Sequence, residues 1–264
     1  MSVHPSQVCP IKTLARQKLV NLASMSSAAF RTRLLQAKWF AFDLDDTLHS
    51  YRSASNAAIS STLALILTQH PNLNSEELRT SYTRILRSGT KAAFVDGRTS
   101  HEHRVDRFRL LLGEHGIETD EDQVKDLLEC YESNFTANLE LKPGALSLLQ
   151  VLKAQGKKIV IITEGPQDAQ ERTLKALGLV PFVDYLATTN KLGVSKVDGM
   201  FERVLETLQV KAKEIVIVGD SCDRDIAPAL SLGIPCIWFN ESSNTIKRDG
   251  VVQIKTLKEL EAML

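Results

Sequence analysis

Residues able to do chemistry concentrate at four places in the chain: Asp43-Leu44-Asp45-Asp46-Thr47, Thr163, Lys196, and Gly219-Asp220-Ser221-Cys222-Asp223-Arg224-Asp225. Acids that follow a strand often serve only as helix N-caps, and an isolated Asp-x-Asp pair carries little information. Asp43 and Asp45 carry more, because they come directly after the apolar run Trp39-Phe40-Ala41-Phe42. If the four places converge, carboxylates, a hydroxyl and an amine share one small volume. Carboxylates so crowded repel one another unless a cation neutralises them. Their hard oxygens suit Mg²⁺, a cation that keeps several waters and binds substrate phosphates.

The elements around these residues predict that they do converge. Apolar runs like the one at Trp39 recur at 158–163 (KIVIIT), 214–218 (EIVIV) and 235–239 (PCIWF), and a further strand is expected near Tyr185–Thr188. Apolar runs without polar alternation are the pattern of strands buried on both faces. Helical segments separate them. One opens after Pro143-Gly144 and stops at Gly156, one covers Asp168–Leu177 and stops at Gly178, and Met200–Leu208 and Asp225–Leu232 follow, the last stopping at Gly233. Glycine just past a helix end is the usual terminator. Strand–helix–strand alternation predicts an α/β fold with a doubly wound parallel sheet. In such sheets ligands sit beyond the carboxyl ends of the strands, and each of the four places lies at or after such an end. Between the first and second strands the sequence reads as four or five helices, an inserted helical lobe. Asn74 with Glu77, and more weakly Thr119 with Asp122, have the spacing of a capping box.

Composition excludes several other classes. The chain has 264 residues, with 32 Lys and Arg against 32 Asp and Glu. Its zero net charge excludes a nucleic-acid binder that works through bulk positive charge. Hydrophobic residues make up 43%, enough for a packed core, and no apolar run reaches the ~18–20 residues that span a bilayer. Cys9, Cys130, Cys222 and Cys236 form no C-x-x-C pair. They read as reduced thiols, neither a disulfide framework nor a zinc site. The charge is unevenly spread: residues 1–42 hold six bases and no acid, and Asp43 is the first acid of the chain. Residues 1–38 are expected to be a basic extension, disordered or targeting. Their composition matches a mitochondrial transit peptide, against a cytoplasmic location otherwise.

In order and spacing, FDLDDTL (42–48), IITEG (161–165), KLGVSKVDGMF (191–201) and GDSCDRD (219–225) resemble the four motifs of the haloacid dehalogenase superfamily. The resemblance covers 39–51 and 141–240. It implies a Rossmann-like core of residues 39–51 and 141–264 with an all-helical cap domain at 52–140. It also implies a phosphatase mechanism. Asp43 would be the nucleophile, forming an aspartyl-phosphate. Asp45 would be the general acid and then base. Thr163 and Lys196 would bind the phosphoryl group. Mg²⁺ would be held by Asp43, the Asp45 backbone carbonyl, Asp220 and Asp225, with Asp223 as the alternative to Asp225.

The chain departs from that pattern at two points. Val197-Asp198-Gly199 follows Lys196 where many relatives have Pro-Asp-Pro, and Glu164 follows Thr163 where Asn is common. An acid at 164 repels a phosphate unless it turns away or pairs with Lys196 or an arginine. The expected substrate is a small phosphate ester such as a nucleotide, a sugar phosphate or a prenyl phosphate, handled by a monomer or homodimer without nucleic acid or membrane. Two other readings are a hydrolytic 2-haloacid dehalogenase, which Asp45 disfavours because dehalogenating relatives typically lack that acid, and a catalytically idle relative that binds a partner through its cap. Residues 79–109 hold eight bases against Asp96, Glu102 and Asp106. This stretch reads either as a wall that attracts an anion or as a solvated helix face. Gly89 and Gly97 bracket a turn that could approach the site. His49, Tyr51 and Arg52 follow the first motif and read either as part of its entrance or, for His49, as a plain loop residue.

Overall fold

The structure is a computed structural model that describes residues 27–90, 92–242 and 251–264. Six parallel strands form one sheet in the order β3-β2-β1-β4-β5-β6: β1 Trp39–Phe42, β2 Lys158–Thr163, β3 Tyr185–Thr188, β4 Ile215–Gly219, β5 Cys236–Phe239 and β6 Val251–Ile254. The chain runs outward from β1 through β2 to β3, then returns to β1's other side for β4. The point where the winding reverses therefore lies between β1 and β4, the place where doubly wound sheets bind ligands.

The uninterrupted apolar runs have a simple cause. Successive strand residues point to opposite faces, and here both faces are covered. Phe40, Phe42, Ile159, Ile161, Val216 and Val218 join one buried cluster with Leu148, Leu149 and Leu152 of α6 (Ala145–Ala154) and Leu257 and Leu260 of α11 (Leu257–Glu261). Trp39, Ala41, Val160, Ile162, Ile215 and Ile217 join a second cluster with Met200, Phe201 and Val204 of α9 (Met200–Leu208).

The lobe inserted after β1 holds α2 (Tyr51–Gln69), α3 (Ser75–Gly89), α4 (Ser100–Glu114) and α5 (Glu121–Ala137). These helices build a third apolar cluster of their own, around Ile66, Leu78, Tyr82, Phe108, Leu111 and Leu127. Asn74 caps α3 through the amides of Glu76 and Glu77. α5 is capped by Asp120, one residue after the expected Thr119, and Thr99 with Glu102 forms a full capping box on α4. Where the chain enters and leaves the lobe, the two connecting segments lie side by side. Ser50 N–H donates to Glu140 O, and Lys142 N–H to Leu48 O, both at 2.9 Å.

The expected basic extension needs correction at its end. Residues 27–36 form a helix, α1 (Ser27–Gln36), whose Phe30 and Leu34 join Ala37 in the first core cluster. Residues 1–26, where most of the transit-peptide expectation falls, lie outside the described residues. β6 and α11 extend the sheet and its cover beyond the last expected strand. Among the described residues, no helix is long and apolar enough to cross a membrane.

Leu34 is fully buried, so Leu34→Ala is expected to cost about 2–4 kcal/mol of stability, read as a lower urea midpoint. An unchanged midpoint would show that α1 does not contribute to the core.

Candidate active site

Strand register brings the reactive residues to one edge. Phe42 pairs with Ile161 and Val218, and Thr163 with Thr188. The next residue after β1, Asp43, continues the pairing by donating its N–H to Val218 O at 2.9 Å. Asp220 follows Gly219 at the end of β4, and Lys196 arrives on a short turn after α8 (Thr189–Leu192).

Lys196 ties the group together. Its buried ammonium donates to Asp43 Oδ1 at 2.5 Å and to Asp225 Oδ1 at 2.6 Å. Burial alone would lower its pKa, but Asp225 and Asp43 outweigh burial and hold it above the ordinary lysine range. The other oxygen of Asp225 accepts the Ser221 amide at 2.9 Å. The other oxygen of Asp43 accepts the Thr47 hydroxyl at 2.9 Å, and Thr47 Oγ1 in turn accepts the Asp220 amide at 3.1 Å. Trp238 Nε1 donates to Asp220 O at 2.9 Å. Gly219 allows this closeness: a Cβ there would lie 2.5 Å from three atoms of the Asp225 side chain.

Asp43, Asp220 and Asp225 offer carboxylate oxygens all within 4.8 Å of one another. Burial, followed by the charges of Asp43 and Asp225, pushes Asp220 up to about 7, with Arg52 offsetting part of the shift. Asp225 is also raised, by burial first and by Asp43, against the pull of Lys196. One ammonium thus leaves three acids under-neutralised. All their donors are hard oxygens, so the set fits a divalent cation such as Mg²⁺. Of the two acids left open in the acidic loop, Asp225 is buried inside the group and Asp223 is exposed.

The Asp45 side chain stands outside that trio. Its Oδ1 meets His49 Nε2 at 2.9 Å, and its Oδ2 lies 3.4 Å from Gln170 Nε2. Thr163 Oγ1 is buried without a hydrogen-bond partner, a free group at the same sheet edge. Glu164 is neutralised as its position requires: Oε2 pairs with Arg224 at 3.3 Å and Oε1 accepts the Lys196 amide at 3.1 Å.

A cleft of about 160 Å³ lies between Asp45 and the helical lobe, and Asp43, Thr163, Lys196 and Asp220 are not among the residues that line it. Asp45, Glu164 and Gly165 line it from the sheet side, and Tyr51, Arg104 and Tyr131 from the lobe. The basic stretch divides by role. Arg84 pairs with Glu114, and Arg98 with Asp106 at 2.6 Å, as on a solvated face, whereas His103, Arg104 and Arg107 face the cleft. The turn between Gly89 and Gly97 does approach the site. Its Phe94, at φ 59, lines the cleft. Asn190 Nδ2 donates to Phe94 O at 3.4 Å and to Arg98 O at 3.0 Å. At the start of α4, the Ser100 amide and hydroxyl donate to Asp168 at 2.9 and 2.6 Å. Burial opposes ionisation of Asp168, but Ser100 and Arg172 outweigh it and lower its pKa.

The family model for haloacid dehalogenase-like hydrolases matches residues 37–233. The chain belongs to that family. It is 29% identical to a glyceraldehyde 3-phosphate phosphatase of Methanocaldococcus jannaschii, over 86% of this chain and 95% of the relative. It is 30% identical to a ribulose-1,5-bisphosphate 5-phosphatase of Halopiger xanaduensis, over 83% and 92%. Among solved structures, a 2-haloacid dehalogenase of Pseudomonas syringae superposes with a TM-score of 0.65 and 26% identity, over 86% of this chain and 97% of that one. The chain is a haloacid dehalogenase-like hydrolase, and its named phosphatase relatives support a phosphoric monoester hydrolase.

Sequence reasoning singled out Thr47 without giving it a role, and missed Gln170, Trp238 and the Asp45 contact of His49. Thr47 follows Asp43 by four residues, a spacing that a tight loop closes. His49 stands in the same relation to Asp45. Gln170 and Trp238 reach the site only through the tertiary fold and leave no spacing signal.

Two outcomes follow for the metal-free protein. Asp220 binds more protons folded than unfolded between about pH 4 and about pH 7, so it lowers stability as pH rises through that window. Asp220→Asn removes this effect and is expected to raise the melting temperature in EDTA at about pH 8 and to change it little at about pH 4. A lower melting temperature at the higher pH would contradict the crowding. Gly219→Ala is expected to destabilise by roughly 1–3 kcal/mol in the same thermal assay, because Asp225 must move.

Proposed function

We propose that the protein is a Mg²⁺-dependent phosphatase that hydrolyses a small phosphorylated metabolite through an aspartyl-phosphate on Asp43. The observation that carries this reading is the Lys196 ammonium between Asp43 and Asp225, with Asp220 beside them and the unpartnered Thr163 hydroxyl at the same edge.

A carboxylate oxygen of Asp43 attacks phosphorus, and the ester oxygen departs with a proton from Asp45. Asp45, now a carboxylate, takes a proton from water as that water attacks the phosphoryl group. The bond to Asp43 breaks, inorganic phosphate leaves, and the proton on Asp45 resets the cycle. Thr163 donates to a phosphoryl oxygen, and Lys196 offsets charge on the nucleophile and the phosphoryl group. Asp43, Asp220, Asp225 and the Asp45 carbonyl would hold Mg²⁺, which when bound neutralises charge on the transferring group.

The cleft suits a short, hydroxylated leaving group. It has a volume of about 160 Å³, and both polar and aromatic side chains line it. The two named phosphatase relatives carry substrates of that kind in their names, phosphates of three- and five-carbon sugars.

A panel of triose, pentose and nucleoside 5′-phosphates with Mg²⁺ is expected to release phosphate. Asp43→Asn and EDTA should each reduce turnover by roughly 10³-fold or more. Undiminished turnover in either case would overturn the mechanism. Halide release from 2-chloropropionate with no phosphate release would favour a dehalogenase. Inactivity in both assays together with a stable partner would favour a binding role.

A further inference from the structure

We propose that His49 is a positioning residue for Asp45, holding one carboxylate oxygen so that the other handles the proton. The inference rests on the acid–base role of Asp45 proposed above.

The local fold brings the two side chains together. After β1 the chain curls back on itself: Asp46 N–H donates to His49 O at 2.9 Å, and His49 forms isolated bridges with Asp45 and with Leu141. The imidazole is completely buried. Tyr51 packs against it in a T-shaped contact, with ring centroids 6.1 Å apart. Its Nε2 faces Asp45 Oδ1 at 2.9 Å, and its Nδ1 is buried with no partner.

That asymmetry favours one tautomer. A neutral imidazole has one N–H and one bare nitrogen. With the proton on Nδ1, a buried donor would be stranded without an acceptor, which is costly. The same donor would be stranded if both nitrogens were protonated, or if Asp45 donated to a bare Nε2. The arrangement that strands no donor has Nε2–H donating to Asp45 Oδ1. Oδ1 is thereby committed as an acceptor. Oδ2 remains, near the Gln170 amide at 3.4 Å, on a residue that lines the cleft. His49 touches no reacting atom. It limits the rotation of the carboxyl that does, and orientation of a reacting group is a recognised source of rate.

The test compares two esters of similar shape that differ in their need for a proton. p-Nitrophenyl phosphate has a weakly basic leaving group, whereas phenyl phosphate has a strongly basic one that gains much more from an acid. His49→Leu is expected to lower kcat/KM for phenyl phosphate roughly tenfold or more beyond its effect on p-nitrophenyl phosphate. His49→Gln, whose side-chain N–H takes the place of Nε2–H, should restore at least part of that difference. His49→Asn, which keeps polarity but is too short to reach Asp45, replaces the leucine variant if that one does not fold. Asp45→Asn is the reference and should show the same selective loss. Equal losses on both esters in the His49 variants, with a selective loss in Asp45→Asn, would reduce His49 to a packing role and overturn the inference alone. No selective loss in Asp45→Asn would remove the acid role of Asp45, and the inference with it.

Discussion

The site depends on one buried cation. Lys196 brings a single ammonium to two carboxylates, Asp43 from the end of β1 and Asp225 from the loop after β4. Taking three charges out of water is unfavourable unless they are close and their remaining hydrogen bonds are filled. Those of the carboxylates are filled: Thr47 serves the second oxygen of Asp43 and the Ser221 amide serves the second oxygen of Asp225. Much of the surrounding backbone can be understood as serving that contact. β1 and β4 are neighbours, so their ends lie together. Gly219 lets Asp225 close against the strand. Thr47 accepts the Asp220 amide, so the first and last motifs are joined by a side chain as well as by the sheet.

The ammonium does not neutralise the whole group, and the remaining negative charge is what gives the site its chemistry. A fully paired set of acids would be inert structural ballast. A set with a surplus carboxylate binds a proton or a cation, and burial and the neighbouring acids push Asp220 in that direction. The lobe answers with the opposite sign. Arg104 faces the cleft while its guanidinium also pairs with Glu132 at 2.8 Å and lies 4.8 Å from the centre of the Tyr131 ring. Those contacts hold it in place.

Much of this architecture was legible in the sequence, for physical reasons. Strands buried on both faces must be apolar throughout, so β1, β2, β4 and β5 announce themselves. Acids directly after such strands are conspicuous because they contradict the local pattern. The convergence of Asp43, Thr163 and Asp220 then follows from parallel topology, whereas Lys196 also needs the turn after α8. What escaped notice depends on contacts distant in sequence. α1 shows little amphipathic contrast, and its place is set by where Phe30 and Leu34 land. β6 is a partly exposed edge strand whose Val251, Val252 and Gln253 are only half-buried. Gln170 and Trp238 are ordinary residues until the fold brings them to Asp45 and Asp220. Choosing Asp225 over Asp223 required knowing which way the loop after β4 turns.

The hydrogen-bonded pair of segments at 48–50 and 140–142 has a consequence for divergence. The two ends of the lobe leave the sheet one hydrogen bond apart, so the gap that an insert must span is the same whatever lies between. Closing a longer or shorter insert changes the loop entropy only slowly with its length, and the apolar cluster of the lobe contains none of the strand residues. The length of the lobe is therefore only weakly constrained by closure, whereas its contacts to the sheet side, such as Arg52 with Asp220, are not free to change. The apolar packing of the lobe and that of the sheet are thus separate, and what joins them is a small set of polar contacts such as Ser100 with Asp168.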